Sequence, residues 1–221
     1  MIGLAGIDFA YPGREKVLSG LDFVMEEGGR IALTGRNGCG KTTLLGVMMG
    51  LLKPDAGKIS VFGKERREEK DFREVRPLMG FVFQDADDQL FCPTVADDLA
   101  FGPLNMGRSK AEADRISEEV LETLGLEGFG DRVTRDLSGG EKKLVALGTA
   151  LALKPKTLIL DEPTTFLDGK ARERLLSLLN ELNLPFLIVS HDFPFLKKTG
   201  CRLLELSEGK IRELDSFPDW D

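Results

Sequence analysis

Gly35-Arg36-Asn37-Gly38-Cys39-Gly40-Lys41-Thr42 fits G-x-x-x-x-G-K-[ST], a spacing suited to holding a chain of phosphates. Glycines let backbone N–H groups curl around anionic oxygens, and a helix starting at the lysine adds its positive dipole end. Lys41 has the reach for the β- and γ-phosphates, and the Thr42 hydroxyl is a suitable Mg2+ ligand. The run Thr157-Leu158-Ile159-Leu160-Asp161-Glu162 reads as a buried strand that ends in two carboxylates. Asp161 is placed to hold a Mg2+ shell, usually through water. Glu162, one residue on, is placed to polarise an attacking water. In Leu137-Ser138-Gly139-Gly140-Glu141, Ser138 and Glu141 form the S-x-x-E of a capping box, and two glycines allow close approach to a helix N-terminus. A strand ending in acids and a well-capped helix are each ordinary. Beside a phosphate loop they describe nucleotide chemistry.

These groups need elements to position them. Apolar runs predict strands at Gly3–Ala10, Leu21–Met25, Ile31–Thr34, Lys58–Phe62, Met79–Phe83, Thr157–Leu160 and Phe186–Ser190, with a terminal hairpin, Leu203–Leu206 and Lys210–Leu214, around Glu208-Gly209. Helices are expected at Lys41–Met49, Lys64–Arg76, Lys110–Leu124, Lys142–Leu153 and Lys170–Leu182. The phosphate loop therefore lies between a strand and a helix, and the last third alternates strand with helix as parallel sheets do. The pattern predicts an α/β nucleotide-binding core with a helical insertion near residues 85–140.

The 221 residues hold 30 Lys+Arg against 37 Asp+Glu, a formal charge of −7, which argues against a dedicated nucleic-acid binder. With 42% hydrophobic and 30% charged residues, the chain has the apolar material for a core. Cys39, Cys92 and Cys201 are scattered, odd in number and in no metal-ligand spacing, so a reducing compartment is expected. The longest charge-free apolar run, Leu144–Leu153, is about half of a membrane span. The opening residues lack a basic start and a long apolar stretch, so no signal peptide is expected.

Taken together, the loop, Leu137–Glu141 and Asp161-Glu162 resemble the ATP-binding-cassette (ABC) ATPases along nearly the whole chain. The resemblance implies a single domain, residues 1–221. Its P-loop NTPase core would be a mixed sheet flanked by helices, with an N-terminal antiparallel β subdomain and an inserted α-helical subdomain. It implies that ATP is held by Tyr11, stacked on adenine, and by Gly35, Asn37, Gly38, Cys39, Gly40, Lys41, Thr42 and Thr43. Ser138, Gly139, Gly140, Glu141 and the D-loop residue Asp168 would act in trans on the partner subunit's ATP. Thr42, Gln84 and Asp161 would serve Mg2+, and Glu162, His191, Lys41 and Gln84 would serve hydrolysis. Gln84 is similar to the Q-loop glutamine, and His191, the only histidine, to the switch histidine. The sequence departs from the family at Phe166, where a small residue is usual, and at Leu144 and Thr149, where arginines are common.

The stretch Phe83–Phe91, with Pro93-Thr94-Val95 and Phe101-Gly102-Pro103, is similar to the ATPases of energy-coupling-factor importers of cobalt, nickel or vitamins. That resemblance implies a peripheral subunit on the cytoplasmic face of the membrane, pairing with itself or a paralogous ATPase. A soluble ABC ATPase of nucleic-acid maintenance or translation is the alternative; such chains usually carry two cassettes, a long coiled coil or basic segments. From Pro77 to Gly107 there is no Lys, Arg or Glu but five aspartates, 85, 87, 88, 97 and 98, holding −5 of the net −7. A cluster of one sign repels itself. The segment Gln84–Asp98 is therefore expected to dock an Arg-bearing helix of an integral-membrane subunit, with Leu90, Phe91 and Val95 as the apolar centre.

Overall fold

The computed structural model describes residues 1–217, in two compact units: residues 1–79 with 185–217, and residues 80–184. In the first unit, β1 (Ile2–Ala10) pairs antiparallel with β2 (Lys16–Met25) and with β4 (Ala56–Val61), which in turn pairs with β5 (Lys64–Arg66). The sheet order is β2-β1-β4-β5. Alternate residues of β1 and β2, among them Ile2 and Leu4, Ile7 and Phe9, and Leu21, Phe23 and Met25, are buried, as a period of two requires when one face meets the core, with the phase reset at irregularities in the pairing.

The same unit contains a second set of strands. β3 (Arg30–Thr34) lies parallel to both β8 (Phe186–Val189) and β9 (Arg202–Ser207), and β9 turns back into β10 (Lys210–Glu213), giving the order β10-β9-β3-β8. β3 and β8 are almost wholly apolar because they are covered on both faces. Helix α1 (Lys41–Met48) follows β3. The stretch expected as one helix over Lys64–Arg76 is instead β5 and the short helix α2 (Glu69–Val75). Glu68 and Asp71 form a capping box there and start the helix late.

The second unit takes in β6 (Met79–Val82) from Gly80 onward, and β6 and β7 (Thr157–Asp161) are neighbouring strands. Four helices accompany them: α3 (Val95–Asn105), α4 (Lys110–Leu124), α5 (Gly139–Leu151) and α6 (Gly169–Glu181). α3 was not legible from periodicity, because Gly102 and Pro103 interrupt its last turn; Thr94 caps its start. α4 and α5 each open on a capping box, Ser109 with Glu112 and Ser138 with Glu141. α3, α4 and α5 pack on one another. Gly148 lets them approach closely: a Cβ would lie 2.8 Å from a Leu124 methyl and 2.9 Å from a Leu99 methyl, so even alanine there would require those leucines to shift.

Candidate functional site

The structure sets the residues singled out above in two groups, one in each unit. In the first, pairing of β3 with β8 aligns Leu33 with Val189, and Ser190 N–H donates to Leu33 O at 3.2 Å. This register carries the next residue of each strand's exit to the same edge. As a result His191 Nε2 lies 3.1 Å from Lys41 Nζ. The Lys41 ammonium also donates to the carbonyls of Gly35 at 2.6 Å and Arg36 at 3.1 Å, folding its stem back over the loop. A Cβ at Gly35 would sit 2.4 Å from Leu206 O and 2.9 Å from Cys39 Sγ, and Gly40 caps α1 with φ 107°. Both positions therefore require glycine, one for close approach and one for its positive φ, and so let the loop turn tightly into the N-terminus of α1, where a phosphate can meet backbone N–H groups. The Tyr11 hydroxyl lies 3.2 Å from Thr43 Oγ1, and its ring stands edge-on to Phe9 at 5.0 Å. That leaves an aromatic beside the first turn of α1. Asn37, Gly38 and Thr42 are exposed, and Cys39 is half-buried.

In the second unit, Asp161 ends β7 buried, and Glu162 follows with φ 44°, a left-handed conformation uncommon outside glycine. The turn lets two successive carboxylates leave one strand end. Ser138, Gly139, Gly140 and Glu141 share a cleft of about 600 Å3 with Leu144, Phe166, Asp168 and Ala171. The signature residues and Asp168 are thus brought together. Asp168 caps α6, accepting from Ala171 N–H at 2.8 Å. The Glu141 carboxyl is held below its ordinary range, first by the Ser138 backbone N–H, then by the Ser138 hydroxyl and Arg132. Phe166, with φ 67° and 78% exposed, forms the outer wall beside Gly139.

Gln84 is exposed after β6, but its carbonyl is not idle. Lys143 Nζ donates to Phe83 O at 3.0 Å and to Gln84 O at 2.5 Å. Gln89 accepts from Phe83 N–H at 3.0 Å and donates to Ala146 O and Thr149 Oγ1, both at 2.8 Å. Sequence reasoning missed Lys143, Gln89 and Arg132. The first had a signal: a lysine at helical spacing from Ala146, Leu147 and Ala150 stands on an apolar stripe.

The acidic segment is corrected in part. Asp98 is buried and accepts from Phe91 N–H, Cys92 N–H and the Thr134 hydroxyl. Asp87 pairs with Lys142 at 2.6 Å, Asp85 caps the turn at Ala86–Asp88, and Asp97 bonds Thr94. Partners outside the segment thus relieve the repulsion expected from its own composition. Leu90 and Val95 are core residues, whereas Phe91 is 66% exposed and meets Phe101 edge-to-face at 4.7 Å.

A strand, phosphate loop and helix, together with a capped Ser-Gly-Gly-Glu helix start and a strand ending in Asp-Glu, define an ATP-binding cassette. The chain belongs to the ABC transporter family, whose sequence pattern matches residues 18–165. It is accordingly an ATPase subunit with the ABC ATPase fold. It is 47% identical over 212 residues to a provisionally named ABC transporter ATP-binding protein of Nitratidesulfovibrio vulgaris, covering 96% of this chain and 78% of that one. It is 40% identical over 215 residues to the energy-coupling factor transporter ATP-binding protein EcfA of Methanothermobacter thermautotrophicus, covering 96% and 69%. The solved structure of cbiO1 from Clostridium perfringens, part of the ABC transporter complex cbiONQ, superposes with a TM-score of 0.86 at 32% identity, covering 96% of this chain and 86% of that one. Among the described residues no helix is long and apolar enough to cross a membrane.

Proposed function

We propose that the chain is the ATP-hydrolysing subunit of an energy-coupling-factor importer. It would power uptake of a transition-metal ion such as cobalt or nickel, or of a vitamin, through an integral-membrane partner on whose cytoplasmic side it sits. The observation that carries the hydrolytic half of the reading is the approach of His191 to Lys41 across the β3–β8 pair, at 3.1 Å. Both groups reach the end of the phosphate loop from residues 150 positions apart in the chain, and His191 stands exposed there, open to a ligand. The 40% identity to an energy-coupling factor ATPase and the likeness to cbiO1 support the importer subclass.

In this reading the backbone of Gly35–Thr42 and the Lys41 ammonium bind the phosphates, and Tyr11, with Thr43 at its hydroxyl, offers a ring for adenine. Thr42, Gln84 and Asp161 are oxygen donors of the kind Mg2+ takes, and the bound ion would neutralise charge on the phosphate oxygens. Glu162 orients and deprotonates water, and His191 senses the terminal phosphate. Ser138–Glu141 and Asp168 act on ATP held by a second copy, or by a paralogous ATPase. A capped helix N-terminus with two glycines supplies the N–H groups and the dipole for that contact. The membrane subunit docks on the segment Gln84–Asp98, with Phe91 and Phe101 as the apolar ridge.

Purification from membranes, identification of the bound partner and ATP-driven uptake in vesicles test this reading. A chain that hydrolyses ATP but recovers no membrane protein would overturn the importer half alone.

A further inference from the structure

Lys143 is 4% exposed, a place where an ammonium group costs stability unless its protons are bonded. It sits in the second turn of α5, five residues past Ser138, and spends its bonds on two consecutive backbone carbonyls, Phe83 and Gln84. Burial lowers its proton affinity, and the carboxylates of Asp161, Asp85 and Glu162 partly restore it. A second link runs beside the first. The Gln89 side chain takes the Phe83 N–H and gives its own N–H groups to Ala146 O and Thr149 Oγ1, again on α5. Both polar groups of the Phe83 backbone and the Gln84 carbonyl are therefore fastened to the helix whose N-terminus is Ser138–Glu141. An apolar residue at position 143 would fill the same space without the desolvation cost, so packing alone does not account for a lysine there.

We propose that Lys143 is a positioning residue, which with Gln89 makes the Gln84 loop and helix α5 one mechanical element. A displacement of Gln84 is then delivered to Ser138–Glu141 without slack, because neither carbonyl can turn without breaking a charge-assisted hydrogen bond. Thr149 takes part through its hydroxyl. It accepts the Gln89 amide at 2.8 Å, a bond that an arginine, which has no acceptor, could not make.

The proposal rests on Gln84 and Ser138–Glu141 serving ATP hydrolysis, and it is tested on the full chain by steady-state Mg·ATP kinetics, thermal midpoint and hydrogen exchange of the 81–91 segment. Lys143→Met is expected to lower kcat at least about tenfold, as a misplaced group does. The KM for ATP should stay within about twofold, because ground-state binding is untouched. Exchange at Phe83 and Gln84 should rise, and Lys143→Arg, which restores a cationic donor, should recover a large part of both losses. Gln89→Leu removes the other link and is expected to show the same split, so the proposal stays testable if the Met variant does not fold. Wild-type kcat in either variant overturns it, as does a kcat loss that follows the thermal midpoint, ignores the Arg variant and leaves exchange unchanged. Absence of ATPase activity in the wild-type chain would instead defeat the underlying reading.

Discussion

The Asp98 carboxylate accepts the Thr134 hydroxyl at 3.0 Å inside the second unit, and its other oxygen accepts the N–H groups of Phe91 and Cys92. The bond ties the start of α3 both to the loop before it and to the residues leading into Ser138. Asp98→Ala would strand two N–H groups and a hydroxyl, and is expected to cost about 2–4 kcal/mol. Asp98→Asn keeps one acceptor oxygen and should cost less. Urea midpoints at constant m-value check both.

Glu162→Gln should bind ATP as before while turnover falls by roughly two or more orders of magnitude, the scale expected when a positioned base is lost. Equilibrium nucleotide binding and phosphate release on the same preparation separate the two effects. Wild-type turnover would remove Glu162 from the role.

Ser138–Glu141 and Asp168 line one cleft, and the phosphate loop is carried by the same chain, so two identical chains can complete two identical sites. The Glu162→Gln protein is expected to pass from monomer to dimer on adding Mg·ATP, and to return when nucleotide is removed. Light scattering at several concentrations reads this out. A monomer at every ATP concentration would leave a paralogous partner as the pairing mode.

Phe91 and Phe101 meet edge-to-face, yet 66% of Phe91 and 45% of Phe101 stay in solvent. Phe91→Ser should cost only about 1 kcal/mol of stability, the scale of an aromatic pair near the surface. Recovery of the membrane subunit should fall sharply. Asp88→Ala is expected to weaken the same recovery most at low salt, since exposed charges are screened as salt rises. Asp87→Ala is a poorer probe, because it also breaks the Lys142 pair.

The Cys92 thiol is pushed up to about 11 by burial and then by Asp98, and the Cys201 thiol to about 11 by burial. At pH 8 only about one molecule in a thousand would carry either thiolate, so iodoacetamide should spare both in the folded chain. Because the folded values lie above the ordinary 9.0, the stability each neutral thiol contributes is complete below pH 9 and declines as pH climbs through 11. Mass mapping after alkylation, folded against unfolded, checks the first point, and urea midpoints from pH 8 to 11 the second.

Local chemistry made much of this protein legible in one dimension. Gly35–Thr42 needs only its own backbone to form a phosphate loop, and Ser138 with Glu141 needs only one helical turn to close a capping box. Short continuous apolar runs likewise placed β3 and β8, and the helical recurrence of apolar residues on one face placed α4. What lay beyond sequence was everything set by residues far apart in the chain. Nothing near position 191 says that His191 will stand 3.1 Å from Lys41; the parallel register of β3 and β8 decides it. The run of five aspartates read as one acidic surface, because the cation that pairs with Asp87 and the hydroxyl that meets Asp98 are 55 and 36 residues away. Lys143 drew no role from the sequence, because the two carbonyls it meets once the fold has removed its water are 60 and 59 residues distant. Sequence spacing specifies which groups can act. Desolvation and long-range hydrogen bonding, which exist only once the chain has folded, decide which of them face solvent and which bind one another.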